Sequence, residues 1–348
     1  MRRLLVGLLA VIGFLTVLFV IGTAFLLARF LPERPDLPPR IVLMADWRDP
    51  LTEAAGAPDL LALKLTPPPT VSDVVLALDR AAADAQVAGL VVRLAETSHG
   101  FAVAQELRDA VTRFRAAGKF AVAYADTFGE LSSGNEGYYL ATAFEEIHLQ
   151  PVGLVGLTGL LAQVPLAREL LARLGVSFEV VRRAEYKTAL ESLTESELSA
   201  PNREMLEALL DTLSDQLVQG IAQGRGLAPE EVRALIDRGP FTAVEALDAG
   251  LVDRLDHPDT TLEAALDRAG NGAGEIELGD YAAERPPATR GAAKVALVRA
   301  AGAIRRGDGA IGIEIAADDL ADALDEAAED GAIRAVLLRI DSGGGSAV

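Results

Sequence analysis

Two stretches of this sequence lie over each other without a gap. "SDVVLALDRAAADAQVAGLVVRLAETSHG" (Ser72–Gly100) matches "DDLADALDEAAEDGAIRAVLLRIDSGGGS" (Asp318–Ser346) at one constant offset of 246 residues. Asp73 meets Asp319, Ala77-Leu78-Asp79 meets Ala323-Leu324-Asp325, Asp84 meets Asp330 and Arg93 meets Arg339. In both copies small and apolar residues recur at helical spacing, and a short branched apolar run follows. Such a repeat constrains the fold more than any single motif, because one supersecondary plan has to serve twice. It predicts a duplicated domain. The first copy occupies residues 41–269, and the second opens near Lys294 and reaches only its first helix and strand by Val348. The sequence is therefore read as a piece of a longer chain.

The first copy continues the alternation. Ile41–Ala45, Gly89–Leu94, Phe120–Ala125, Ile147–Leu149 and Phe178–Arg182 read as strands. Helices are expected at Val71–Asp84, around Leu107, Val111 and Phe114 up to Gly118, at Leu166–Leu174, and from Pro201 to Gln219. Pro240–Leu255 reads as a helix stopped by Gly250, then a short strand. Strands alternating with helices of about ten to fifteen residues imply an α/β fold with mostly parallel strands. Residues 270–293, rich in Gly, Pro and charge, read as a connector, although "EIELGDY" within them could hold a strand.

The N-terminus has a different character. Leu4–Ala28 carries no charge. At about 1.5 Å per helical residue it is longer than the roughly 30 Å of a bilayer's hydrocarbon layer. A cleavable leader has a shorter apolar core, about 7–15 residues. Residues 1–31 are accordingly read as a single-pass anchor in the lipid bilayer, and 32–40, "PERPDLPPR", as a proline-rich spacer. Arg2 and Arg3 before the span favour a cytoplasmic N-terminus, and Arg29, Arg34 and Arg40 after it blur that signal. The expectation is a cytoplasmic (inner) membrane protein with a periplasmic or extracellular body. A net charge of −19 argues against nucleic acid as a partner. The absence of cysteine removes disulfides, thiolate zinc sites and a cysteine nucleophile. His99, His148 and His257 are far apart, with no pair at metal-ligand spacing, and no cofactor or metal is implied.

Two features suggest chemistry. Gly343, Gly344 and Gly345 stand where the first copy has Thr97, Ser98 and His99. A glycine run leaving a strand can aim bare N–H groups into a cleft, which suits an oxyanion; it can equally be a flexible turn. Ser346 as a nucleophile is a third reading. The second feature is lysine usage: Lys64, Lys119, Lys187 and Lys294 are the only lysines among 32 basic residues. Lysine, unlike arginine, can lose its proton when desolvated. Lys119 sits in a helix-to-strand turn, Lys294 begins a strand, and Lys64 lies in a poorly patterned loop. Lys187, in "RRAEYKTALESLTESELSAPNRE", follows an apolar strand and precedes a long helix, a favoured place for functional residues. A general base there needs its pKa lowered by about 3 units, about 4 kcal/mol. The alternative is an ion pair with Glu185 or Glu191.

Taken together, these segments resemble the signal peptide peptidase A family in its long, membrane-anchored form with two tandem domains. The resemblance rests on "EYKTALESLTESELSAPNRE", "EGYYLATAFEEIHLQPVGLVGLTGL", "FTAVEALDAGLVD" and "LLRIDSGGGSA", which match in order and spacing. It implies a Clp protease/crotonase-like spiral of β-β-α units, duplicated and preceded by one transmembrane helix. It also implies a serine endopeptidase with a Ser–Lys dyad that degrades signal peptides or other exposed peptides, assembled as a homo-tetramer. The family's general-base lysine falls on Lys187, and a backbone N–H donor to the oxyanion falls on Gly344. The family's nucleophilic serine lies beyond the glycine loop, past Val348, so Ser346 does not take that role and these residues alone are expected to be inactive. Gly343 departs from the family's usual proline. "SSGNEGYYLAT" resembles the first-domain counterpart of the serine segment, with Asn135 at the nucleophile's place and Ser132 and Ser133 beside it. Two rivals remain: a crotonase-fold enzyme acting on an acyl-CoA thioester, and a non-catalytic membrane scaffold.

Overall fold

The computed structural model describes residues 13–14, 16–22, 37–54, 68–95, 99–130, 133–286, 293–309 and 314–347. The chain divides into two units, 1–37 and 38–348. In the first, residues 13–14 and 16–22 are helical and exposed. No helix among the described residues is long and apolar enough to cross a membrane. The remainder of the Leu4–Ala28 span lies outside the described residues.

The second unit is built on a six-stranded, all-parallel sheet. Strand β1 (Arg40–Asp46) is followed by helix α1 (Val71–Ala83), β2 (Val87–Leu94), α2 (Phe101–Ala116) and β3 (Phe120–Ala125). Then come α3 (Asn135–Ala141), β4 (Glu146–Leu149) and β5 (Leu154–Val155). Every residue of β3 is buried, as the centre of a parallel sheet covered on both faces requires. Helix α1 starts where the sequence provides a capping box: the Thr70 hydroxyl accepts from the Asp73 N–H at 3.3 Å, and the Asp73 carboxylate accepts from the Thr70 N–H at 3.0 Å. Its Val71, Val74, Ala77, Leu78 and Ala81 form the buried face.

Beyond β5 the chain runs through α4 (Arg168–Arg173), the single turn α5 (Glu191–Thr194) and α6 (Ala200–Arg225). Only the C-terminal half of α6 is anchored by apolar burial, through Leu217, Val218, Ile221 and Ala222. It crosses α3 at backbone distance. A Cβ added at Gly224 would sit 2.0 Å from the Thr142 carbonyl oxygen, so a larger residue there would force the helices apart. Next are α7 (Pro229–Arg238), β6 (Phe241–Thr242), α8 (Ala243–Asp248), β7 (Arg254–Leu255) and α9 (Pro258–Ala269). Strand β6 pairs antiparallel with β5, and β7 adds to the sheet beside β4.

Two expectations are corrected. Phe178–Arg182 is not a strand: it pairs with nothing and its side chains are exposed. An apolar run carries strand propensity, but a strand also needs a paired neighbour, and among the described residues no strand pairs with this segment. Residues 270–293 are not simply a connector. Ala273–Glu277 is β8, parallel to β1 at the sheet edge, and Leu278–Glu284 is α10, which buries Leu278 and Tyr281. Gly270 and Gly272, at positive φ, turn the chain into this strand rather than away from it.

The last part holds β9 (Lys294–Ala301), β10 (Ala303–Arg305), β11 (Glu314–Ala316), α11 (Ala317–Glu329) and β12 (Ile333–Asp341). Helix α11 begins and ends 246 residues after α1, and β12 begins 246 residues after β2. The turn between helix and strand recurs in detail. Asp84 accepts from the Gln86 N–H at 2.9 Å, and Asp330 accepts from the Ala332 N–H at 2.8 Å. As β1 pairs parallel with β2, so β9 pairs parallel with β12.

Candidate active site

The segment from Leu161 to Ala200 stands out from the core. Apart from Glu191, none of its residues is buried. Its apolar side chains include Leu170, Leu174, Phe178 and Val181, all exposed. Within it Lys187 is exposed and lines an open groove of about 610 Å³ with Arg168, Val176, Phe178, Val180 and Arg182. Among the described residues Lys187 has no hydrogen-bond or ion-pair partner.

The loop carrying it is held at several points. Tyr186 donates its hydroxyl to Glu204 of α6 at 3.0 Å. Ser199, the N-cap of α6, accepts from the Asn202 N–H at 3.3 Å. Glu191, only 2 % exposed, accepts from Arg182 Nη1 at 2.8 Å, Ser199 Oγ at 2.7 Å and Asn202 Nδ2 at 2.9 Å. The expected alternative, an ion pair between Lys187 and Glu191, is therefore absent, because both carboxylate oxygens are engaged elsewhere.

Covering the Glu191 carboxyl opposes its ionisation, but the hydrogen bonds from Ser199, Asn202 and Arg182 outweigh this and hold its pKa near about 2. A depressed carboxyl stabilises the fold fully above its unfolded value, and that contribution is lost as pH falls from about 4.5 through about 2. The protection factors of amides across residues 182–202, corrected for the pH dependence of intrinsic exchange, are expected to fall on acidification in this window. In Glu191→Gln the same amides should exchange faster already at pH 7 and lose that pH response.

The glycine loop follows β12. Its three glycines differ. Gly343 lies in open space at an ordinary φ. Gly344 has φ +103°. Its N–H donates to Ser342 Oγ at 3.0 Å, and its carbonyl accepts from the Ile304 N–H at 3.0 Å. At Gly345 a Cβ would fall 2.2 Å from the Ile304 carbonyl oxygen, so there glycine is required by close backbone approach. An oxyanion at Gly344 has to displace the Ser342 hydroxyl. Ser346 donates its N–H to the Ile304 carbonyl at 2.9 Å. The groove lined by Lys187 is built from residues 168–195 and does not include the glycine loop, and no hydrogen bond joins Lys187 to Gly344.

The first copy's equivalents are committed to structure. The His99 N–H donates to Glu136 at 2.5 Å. Its Nδ1 accepts from the Leu51 N–H at 3.2 Å, which leaves Nε2–H to donate to the Trp47 carbonyl at 3.0 Å. Burial pushes the imidazole pKa down, in keeping with this neutral form. Asn135 is buried and holds the 158–159 turn. It donates to Ser133 and to the Gly159 carbonyl, and accepts from the N–H groups of Thr158 and Gly159. Lys119, half-buried, donates to the Asp84 and Val87 carbonyls and is structural.

The sequence profile of peptidase family S49 matches residues 113–271, a span that contains Lys187 and its anchors. A chloroplastic serine protease SPPA from Arabidopsis thaliana is 27% identical over 279 residues, covering 77% of this chain and 40% of that protein. Protease 4 from Haemophilus influenzae is 30% identical over 321 residues, covering 86% of this chain and 50% of that protein. Residues 113–271 are thus a peptidase S49 segment, and the relatives support the signal peptide peptidase A family. The chain spans about half the length of these curated relatives or less. Among solved structures, a membrane-bound stomatin-specific protease matches with a TM-score of 0.38 at 10% identity, covering 69% of this chain and 99% of that one. The fold of this chain is α/β with a parallel sheet, as its alternating sequence requires.

Proposed function

We propose that this protein is a membrane-anchored serine endopeptidase that uses Lys187 as the general base of a Ser–Lys dyad. The observation that carries the reading is that Lys187 lies within the S49 match, lines an open groove and has no ion-pair partner among the described residues. Neutral Lys187 removes the proton from a serine hydroxyl as its oxygen attacks a peptide carbonyl. Backbone N–H donors around Gly344 hold the oxyanion, with Ser342 Oγ displaced. The lysine ammonium then protonates the departing amine, and water hydrolyses the acyl-enzyme. The serine belongs to the part of the relatives' length that this chain does not span, and no residue here is assigned to it. No cofactor or metal enters the scheme.

The remaining features follow the same reading. Leu4–Ala28 anchors the protein in the inner membrane, with the body outside the cytoplasm. The two copies arose by duplication on a Clp protease/crotonase-like plan, a view supported by the recurrence of helix, turn and strand at one offset. Exposed apolar residues on the segment that carries Lys187 support assembly into a homo-tetramer, which would bring a glycine loop to each lysine groove. Substrates are released signal peptides or other exposed chains, bound extended along a strand edge. The test uses the full-length protein with unstructured peptides and with acyl-CoA thioesters. Peptide cleavage through an acyl-enzyme that can be trapped is expected. Saturable acyl-CoA binding without peptide cleavage would reject the peptidase reading in favour of a thioester enzyme.

A further inference from the structure

The loop that carries Lys187 is more tightly determined than its exposure suggests. Ala184, three residues before the lysine, has φ +70°, a conformation that costs a non-glycine residue about 1 kcal/mol or more. Such strain persists only where the surroundings impose it. Arg182 and Glu191 close the loop from its two ends at 2.8 Å, and Tyr186 and Glu191 each tie it to α6. Glu191 also lies four residues after Lys187 and lines the same groove, where a carboxylate could pair with the amine and hold it protonated. Its oxygens are instead taken up by Arg182, Ser199 and Asn202.

We propose that Glu191 is a positioning residue for Lys187: bound by Arg182, Ser199 and Asn202, it fixes the loop that presents the amine and is withheld from pairing with it. This rests on Lys187 being the base. The other charged groups around the lysine are Arg168, Arg182 and Arg183, with Glu185 and Glu195. None of these is buried. Glu191 alone is a covered carboxylate that lines the same groove as the amine. Among the described residues Arg182 supplies its one cation, so removing Arg182 leaves the carboxylate charge uncompensated, with Oε1 held by Ser199 alone, whereas removing Glu191 leaves no such charge.

The test is the pH profile of kcat/KM for a peptide substrate in the full-length protein, with Arg182→Gln, Glu191→Gln, the double variant and Lys187→Ala. In Arg182→Gln the acid limb is expected to move to higher pH by about half a unit to one unit, since the released carboxylate favours the charged amine. Glu191→Gln should lower kcat at every pH without moving the limb upward. The double variant should restore the limb to its wild-type position while kcat stays low. A purely structural cluster would lower the rate equally at all pH values. An unmoved limb in Arg182→Gln, or a shift that survives in the double variant, overturns the proposal. Peptide cleavage retained by Lys187→Ala would instead remove the base itself, so the two failures are distinguishable. If Arg182→Gln does not fold, Ser199→Ala loosens the same carboxylate and should give a smaller shift in the same direction. Amine labelling read by mass spectrometry follows the protonation of Lys187 without turnover. Lys294, exposed and paired with Asp330 at 3.1 Å, serves as the internal reference, and the labelling midpoint should move with the limb in each variant.

Discussion

Replacing Lys187 by alanine or by arginine in the full-length protein is expected to lower kcat/KM for peptide cleavage about a thousandfold, with the thermal midpoint unchanged. General-base assistance is worth about 10²–10⁴ in rate, and here it also activates the nucleophile. Arginine is the informative replacement. It keeps the charge and fills the same groove, but it stays protonated at any working pH and cannot accept the serine proton. A lysine that merely attracted substrate or held an ion pair would tolerate it. Because Lys187 is exposed and unpartnered among the described residues, either substitution should cost within about 0.5 kcal/mol of stability, so lost activity cannot be ascribed to unfolding. Cleavage retained by either variant removes Lys187 from the mechanism.

The parallel sheet was legible because its strands are short apolar runs separated by amphipathic helices. The repeat was legible because one offset carries helix, turn and strand alike. The Asp84 and Asp330 side chains that close the two turns show why the aspartates coincide. What sequence reasoning misplaced lies where tertiary context decides. "FEVVR" (Phe178–Arg182) has strand composition, yet it stays exposed and no described strand pairs with it. "AGEIE" (Ala273–Glu277) overlaps the "EIELGDY" that could hold a strand; its Gly- and charge-rich surroundings obscured its bounds, which the pairing with β1 sets. At the site, residue spacing pointed to Lys187 but could not choose a partner for Glu191. Lys187 lies four residues before it and Arg182 nine residues before it, and the bond goes to Arg182. The deciding contacts come from Ser199 and Asn202. The only trace of them in sequence was a serine and proline announcing the start of α6.

Replacing Arg339 by methionine is expected to destabilise the 38–348 unit by about 2–3 kcal/mol. The guanidinium donates four hydrogen bonds of 2.7–2.8 Å, two to Glu53 and two to Glu106. These charge-assisted bonds raise its pKa further, those from Glu106 most and those from Glu53 next. The loss is set by the carboxylates left behind, because a covered charge without its partner is costly. The figure is kept below that for a fully buried pair, since the three side chains remain 13–32 % exposed. Two comparisons separate this account from simple loss of a large side chain. Arg93 occupies the same place in the first copy, but among the described residues its one ion pair is with Asp126 at 3.5 Å, beside a looser contact with the Tyr124 ring. Arg93→Met should therefore cost less than about 1 kcal/mol. Adding Glu53→Gln and Glu106→Gln to Arg339→Met should recover most of the loss, because neutral amides tolerate the missing cation. Urea unfolding midpoints measure all three variants. The latch also lies four residues before Gly343, so releasing it should speed hydrogen exchange at the Gly344 amide well before global unfolding. Equal losses for Arg93→Met and Arg339→Met would show that the carboxylates contribute nothing special. In that case the contact between β12 and the first copy would rest on apolar packing alone.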